Sequence, residues 1–152
     1  MKAVLKGVLV GAVALLTLAG AAAAAEIEVK MLDKSAEGAM VFEPALLKIE
    51  PGDTVKFRAV NKGHNVETIK GMLPEGAKPF TGKINEELAI TFDKPGVYGV
   101  KCLPHYGMGM VGLIVVGTPS NQTEAMTVTH PGKAKHVMTA LFGKLSTQAA
   151  AK

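Results

Sequence analysis

Short stretches of alternating apolar and polar residues, separated by turn residues at intervals of about ten, limit this chain to a mainly β fold. Thr54–Val60 shows the pattern clearly, since Val55 and Phe57 alternate with charged residues, and the turn sequence Pro51-Gly52-Asp53 precedes it. Alternation of period two places one face of each strand in a core and the other in water. The predicted architecture is therefore a β-sandwich or barrel.

The same pattern predicts strands over most of the chain. The predicted strands are Glu26–Asp33, Ala45–Glu50, Thr54–Val60, Glu87–Phe92, Val97–Cys102 and Val111–Val116. Gly71–Lys83, which is rich in proline and glycine, is predicted to be a long loop. The tail, residues 119–152, is predicted to form helices that cover part of the sandwich. A start signal lies at Pro119-Ser120-Asn121, and an apolar stripe of helical spacing follows Pro131.

The N-terminus has the features of a secretory signal. Lys2 and Lys6 precede the uncharged apolar stretch Val8–Ala19, and Ala21–Ala25 supplies small residues for a peptidase. We therefore expect residues 1–25 to be a cleaved signal, residues 26–152 to form a single domain, and the mature protein to be periplasmic. Cleavage before Ala25 and cleavage before Glu26 both fit the pattern. A permanent membrane anchor is the alternative. The alanine-rich segment Ala21–Ala25 favours cleavage.

The charge of the mature chain excludes one class of partner. The formal charge is +4, and removal of Lys2 and Lys6 leaves +2. Nucleic-acid binding favours dense basic stripes with interleaved aromatic residues, which are absent from this sequence. A mildly basic surface suits brief docking on an acidic protein.

The only cysteine lies in the segment Cys102-Leu-Pro-His105-Tyr-Gly-Met-Gly-Met110. Exported proteins usually pair their cysteines, so a single thiol is either buried and inert or bound to something. This loop carries a thiolate, an imidazole and a thioether. Two histidines, one cysteine and a weak axial methionine are the ligands of blue-copper centres. His64, which follows a predicted strand, is the candidate second histidine.

The other candidate ligands are weaker. His130 and His136 lie in the helical tail and are predicted to be surface residues. Met108 is the alternative thioether, with packing as its predicted role, because methionine commonly fills gaps in cores.

Three segments carry a resemblance to a known family: Lys62–Glu67, Glu37–Pro44, and Pro104–Tyr106 with Met108–Met110. Over residues 25–152 the chain resembles the cupredoxins, the type 1 blue-copper proteins, and its C-terminal helices match one group within them. The resemblance implies an all-β Greek-key sandwich of about eight strands with two C-terminal α-helices.

The resemblance also implies a site and a role. His64, Cys102 and His105 would be the in-plane ligands of one copper ion that cycles between Cu(II) and Cu(I), with Met110 the axial ligand. The protein would be an electron carrier and not an enzyme. Its expected partners are a copper nitrite reductase as acceptor and c-type cytochromes, with no nucleic acid and, after signal cleavage, no membrane. It is expected to be a monomer.

Docking is expected through an apolar patch around His105 and Pro104, from which the His105 ring edge emerges, with His64 the inner ligand. Lysines are expected to surround the patch: Lys34, Lys62, Lys70, Lys78, Lys83 and Lys101.

The residues around the sulfur give three more expectations. The backbone N–H of Asn65 is expected to donate to the Cys102 sulfur, whereas Pro104 has no N–H to offer. The sulfur is therefore expected to be electron-rich and to favour Cu(II). Leu103 lacks a hydroxyl group, so we expect the Asn65 side chain to have no partner there and the loop to be less well braced.

Three other functions are weighed against this one. A copper enzyme needs an open coordination position or further metal sites, and the remaining histidines are too few. A copper chaperone would have clustered methionines, but those of this chain are scattered. A Cys102–His105 nucleophile would need an oxyanion hole, and no motif for one is present.

Overall fold

The computed structural model describes residues 23–150. The predicted signal, residues 1–25, lies outside the described residues except for its last three. Among the described helices, none has the length and apolar character that crossing a membrane requires.

The described residues form eight strands, in agreement with the number expected. In chain order they are β1 Glu26–Ser35, β2 Gly38–Glu43, β3 Leu46–Ile49, β4 Asp53–Ala59, β5 Glu67–Thr68, β6 Leu88–Phe92, β7 Gly96–Lys101 and β8 Val111–Val116. The predicted strands are confirmed to within two residues at each end, whereas β2 and β5 were not predicted.

The strands pair into two four-stranded sheets. The first has the order β2-β1-β4-β6 and the second the order β3-β8-β7-β5. Neighbours pair antiparallel except β1 with β4 and β3 with β8, which run parallel. Because each sheet combines strands that are distant in sequence, the chain crosses between the layers. The predicted Greek-key sandwich is confirmed.

The inner faces of the sheets enclose the main core. Val55 and Phe57 of β4 are buried, while Arg58 faces outward and makes two hydrogen bonds to Glu28 on β1, at 2.9 and 3.0 Å. Burying a side chain of this size contributes roughly 1.5–3 kcal/mol. Phe92 packs edge-on against Tyr98 across the sandwich, with the ring centres 4.9 Å apart. The predicted alternation therefore generates the core.

Two helices complete the fold, as predicted: α1 Gln122–Met126 and α2 Ala134–Ala150. The predicted stripe of α2, including Met138, Leu141 and Phe142, packs on the outer face of the second sheet and forms a separate apolar cluster. Asn121 precedes α1 but does not cap it with its side chain. Its amide instead bonds to both backbone groups of Val97, at 2.7 and 3.0 Å, and so ties the tail to β7.

Candidate metal centre

His64 is held at one end of the sandwich by a turn that follows β4. Gly63 has φ +93°, a left-handed conformation that glycine adopts without strain. Its N–H donates to the Asn85 Oδ1 at 2.7 Å, and the Asn85 N–H donates to the His64 carbonyl at 2.9 Å. The His64 side chain is 0% exposed. The turn and the Asn85 loop therefore fix the imidazole in the interior.

The second group of candidate ligands lies on the loop between β7 and β8. Cys102 directly follows β7, and the loop contains a short 3-10 helix, Tyr106–Met108. The Cys102 N–H donates to the Met110 carbonyl at 3.0 Å, and the Met110 N–H donates to the His105 carbonyl at 3.2 Å. These bonds close the loop on itself and bring its thiol, imidazole and thioether side chains to one end of the molecule.

Three donor atoms from the two segments form a triangle. The Nδ1 atoms of His64 and His105 lie 3.1 Å apart, and the Cys102 Sγ lies 3.7 Å from the first and 3.5 Å from the second. The point equidistant from all three lies about 2.0 Å from each, and metal bonds to imidazole nitrogen and thiolate sulfur are about 2.0–2.3 Å long. The triangle therefore has the size of a trigonal metal site.

The two methionines of the loop have different positions. Met110 is buried in the same core cluster as Cys102. Met108 lies on the 3-10 helix and is 51% exposed, so the packing role predicted for it is wrong. Two imidazoles, a thiolate and a weakly bound thioether are the donor set of a blue-copper centre, so the buried Met110 is the better candidate for the thioether. Among the described residues, His130 and His136 do not join the cluster of donor groups.

The environment of the sulfur differs in part from the expectation. Burial raises the pKa of the Cys102 thiol, while hydrogen bonds from the backbone N–H groups of Asn65 and His105 oppose that rise. The Asn65 donor was expected; the His105 donor, one residue beyond Pro104, was not. The His105 N–H also donates to the Cys102 carbonyl, at 3.2 Å, so the sulfur receives only part of this donor. The expected electron-rich sulfur, and the preference for Cu(II) that follows from it, stays a prediction.

The Asn65 side chain braces the loop, contrary to the expectation based on Leu103. Its Oδ1 accepts the Leu103 backbone N–H at 2.8 Å, and its Nδ2 donates to the Gly82 carbonyl at 3.1 Å. The bond to the loop uses a backbone group, so the missing hydroxyl at position 103 does not matter. Asn65 thus joins the His64 segment, the Cys102 loop and the Gly82 loop.

The C-terminal tail contacts the same loop. The Tyr106 hydroxyl lies 2.7 Å from the His130 Nδ1, and the Lys133 N–H donates to the Gly107 carbonyl at 3.0 Å. His130 is half-buried, and burial lowers its pKa, so it is less exposed than predicted. His136 is exposed, as predicted. The tail supports the metal loop in addition to covering a sheet.

Several apolar residues of the metal loop are exposed. His105 is partly exposed, whereas His64 is buried. Leu103, 56% exposed, and Pro104, also exposed, flank His105 on the loop, and Met108 adds to the same surface. The exposed apolar residues Leu103, Pro104 and Met108 lie on the same loop as His105 and are called the apolar patch.

The lysines expected around the patch fall into two groups. Lys34, Lys62, Lys70 and Lys83 are exposed, as is Lys78. Lys101 is mostly covered: its ammonium group lies 3.2 Å from a Glu67 carboxylate oxygen and 4.8 Å from the centre of the Tyr106 ring. Lys78 lines a groove with Asp93 and Tyr98, away from the metal loop.

A β-sandwich whose one end holds two imidazole nitrogens, a thiolate sulfur and a buried thioether defines the cupredoxin class of copper proteins. Comparisons with known proteins agree. The profile of the copper-binding proteins of the plastocyanin/azurin family matches residues 29–117. Pseudoazurin of Paracoccus pantotrophus is 54% identical over 136 residues, which cover 89% of this chain and 94% of that protein.

Two solved structures are similar to the whole domain. Pseudoazurin from Sinorhizobium meliloti superposes with a TM-score of 0.78 at 49% identity, covering 80% of this chain and 96% of that chain. Pseudoazurin from Methylobacterium extorquens AM1 superposes with a TM-score of 0.77 at 48% identity, covering 79% and 98%. The chain therefore belongs to the pseudoazurins, within the plastocyanin/azurin family of copper-binding proteins. It is a blue-copper electron-transfer protein with one type 1 copper, and not an enzyme.

Proposed function

We propose that His64, Cys102 and His105 hold the copper ion through Nδ1, Sγ and Nδ1, with Met110 as the axial ligand. The observation that carries this proposal is the triangle of donor atoms, with sides of 3.1, 3.5 and 3.7 Å. Its size supports a metal at its centre, and the burial of Met110 in the core cluster that contains Cys102 supports the fourth ligand. Met108, half-exposed on the surface, is left out of the set.

Copper bound in this site supplies one-electron chemistry, because it takes up and gives back a single electron between Cu(II) and Cu(I). The chain contributes a rigid site. The loop hydrogen bonds of Cys102 and Met110 and the Asn65 brace fix the positions of the donor groups. A site that is already arranged changes little between the two oxidation states, and this keeps the barrier to electron transfer low. His64 anchors the site, and His105 links it to the surface.

The site of action that we propose is the periplasm, reached after removal of the leader. Three features of the N-terminus support export: the charged residues Lys2 and Lys6, the apolar stretch Val8–Ala19 and the alanine-rich segment Ala21–Ala25. N-terminal sequencing of the protein recovered from the periplasm is expected to start at Ala25 or Glu26. Recovery in the membrane fraction of a chain that still begins at Met1 would instead establish an anchored protein.

The proposed partners are a copper nitrite reductase, which accepts the electron, and c-type cytochromes. The family resemblance supports these partners, and the apolar patch supports brief docking by a monomer around His105. Exposed lysines, including Lys34, Lys62, Lys70 and Lys83, would steer an acidic partner towards the patch. Lys101 and Lys83 contribute less charge, because Glu67 and Glu86 pair with them.

Neutralising one patch lysine tests this steering. Lys62 precedes the turn that carries His64, so Lys62→Gln is expected to slow association with a copper nitrite reductase roughly two- to fivefold at low ionic strength, by removing a charge at the rim of the docking surface. The second-order electron-transfer rate, measured by stopped flow over a range of salt concentrations, reports the change. The difference from the parent protein should shrink as salt increases.

Lys48→Gln is the matched control for this test. Lys48 is an exposed lysine on β3, where it pairs with Val115 in the second sheet, away from the metal loop. Its substitution removes the same charge and should leave the rate nearly unchanged. Equal effects of the two substitutions, or rates that do not depend on salt, would contradict steering by the patch.

A further inference from the structure

The buried histidine of the candidate centre has a carboxylate on its outer side. The Asp33 Oδ1 lies 2.9 Å from the His64 Nε2, while the Nδ1 of the same ring faces Cys102 and His105. The two ring nitrogens thus have separate tasks: one faces the donor triangle and the other faces Asp33. The Asp33 side chain is 54% exposed, so the carboxylate connects a fully buried ring to the surface.

The position of Asp33 is set by the segment that carries His64. Asp33 lies near the end of β1, where Leu32 and Lys34 pair with β2. Its own N–H instead donates to the Asn61 Oδ1 at 2.9 Å, and Asn61 is three residues before His64. The carboxylate and the imidazole are therefore held relative to each other by a short connection, and do not depend on a long flexible side chain.

The contact has a definite consequence for the ring. A neutral imidazole carries one proton, and the hydrogen bond that one nitrogen makes decides which nitrogen keeps it. A carboxylate accepts only, so it holds the proton on the Nε2 and leaves the Nδ1 lone pair directed at the triangle. Its negative charge also makes the ring a stronger donor towards a metal.

We propose that Asp33 is a positioning residue that sets the His64 tautomer and shifts the centre towards Cu(II). Only the second part, the shift towards Cu(II), rests on the proposed function, because the tautomer exists in the copper-free protein as well. An Nδ1 with more electron density stabilises the more highly charged ion more strongly. Loss of the carboxylate should therefore raise the reduction potential.

Nitrogen-15 NMR of the copper-free protein tests the first part. In the parent chain the His64 signals are expected to show the proton on Nε2. Asp33→Asn keeps an oxygen that can accept this proton and should preserve the tautomer. Asp33→Ala removes the acceptor, and a mixture of the two tautomers is expected. An unchanged Nε2–H tautomer in Asp33→Ala would overturn the positioning role.

Copper binding and the reduction potential test the second part. Loss of a group that supports a metal ligand lowers metal affinity by about 10- to 100-fold, and the exposure of Asp33 favours the lower end. We expect the ratio of Cu(II) to Cu(I) affinity to fall roughly threefold to tenfold in both Asp33→Asn and Asp33→Ala. A tenfold change corresponds to a rise of about 59 mV in the potential.

Glu86→Gln is the control for a general effect of charge. Glu86 is an exposed carboxylate next to Asn85, whose backbone N–H donates to the His64 carbonyl, and its closest cation is Lys83 at 3.8 Å. This substitution should change neither the tautomer nor the potential. Equal shifts in Glu86→Gln and Asp33→Asn, or a change below twofold in both Asp33 variants, would overturn the charge effect. Failure of the parent chain to form a blue site would count against the proposed function, and the NMR test of Asp33 would still stand.

Discussion

Replacing Asn65 with alanine is expected to destabilise the copper-free protein by about 2–4 kcal/mol. The side chain is buried and makes two hydrogen bonds, one to the Leu103 N–H and one to the Gly82 carbonyl. Each group left without its partner costs about 1–3 kcal/mol, and the Leu103 N–H falls at the lower end because water can reach this exposed residue. The loss affects three segments at once, so the metal loop should loosen as well.

Denaturant unfolding of the copper-free protein measures this effect through the transition midpoint at unchanged slope. Gln148→Ala removes an amide that is exposed on α2, and the expected change is within about 0.5 kcal/mol. The copper-loaded Asn65→Ala protein should also release its metal to a chelator faster than the parent. A loss of stability below about 1 kcal/mol would show that Asn65 does not brace the loop.

The fold was predictable wherever the sequence follows a simple period. Val111–Val116 was predicted with the bounds that the structure shows, because six successive residues are apolar between clear loops. β5 consists of only Glu67 and Thr68, too short to produce any period. β2 was missed because it begins at a glycine and contains Met40 with φ +55°, so its alternation is interrupted. Such strands exist through pairing with neighbours and not through local pattern.

The candidate site was also predictable only in part. Cys102, His105 and Met110 lie within nine residues, so their spacing alone indicated a shared site. The supporting contacts join distant parts of the chain: Asp33 reaches His64 across 31 positions, and Asn65 reaches Leu103 across 38. Parallel pairing of β1 with β4 brings the first pair together. A single sequence does not reveal that pairing, so the role of Asp33 was not predicted.

The tail was only partly predictable for the same reason. The apolar spacing of α2 indicated a covering helix, and the structure confirms it. The contacts of the tail with the loop depend on the path of the chain before α2. Gly132 has φ +51°, and a Cβ there would overlap the Gly107 carbonyl. This close approach, which only glycine permits, is what brings His130 and Lys133 onto the metal loop.

Replacing Cys102 with serine is expected to have the largest effect on the copper site. Cys102 is the only cysteine of the chain, and its sulfur forms one corner of the donor triangle. A serine hydroxyl has nearly the same shape but does not ionise near neutral pH, so the soft negative ligand that copper requires is lost. His136→Ala is the control, because this exposed imidazole lies outside the site.

The absorption spectrum of the copper-loaded, oxidised protein tests the central claim most directly, because a thiolate bound to Cu(II) absorbs visible light intensely. The parent chain and His136→Ala should be strongly blue to green, and Cys102→Ser should lose this colour while remaining folded. If the parent chain binds copper without intense colour, or if Cys102→Ser keeps the colour, the metal does not bind to the thiol and the proposed ligand set is wrong.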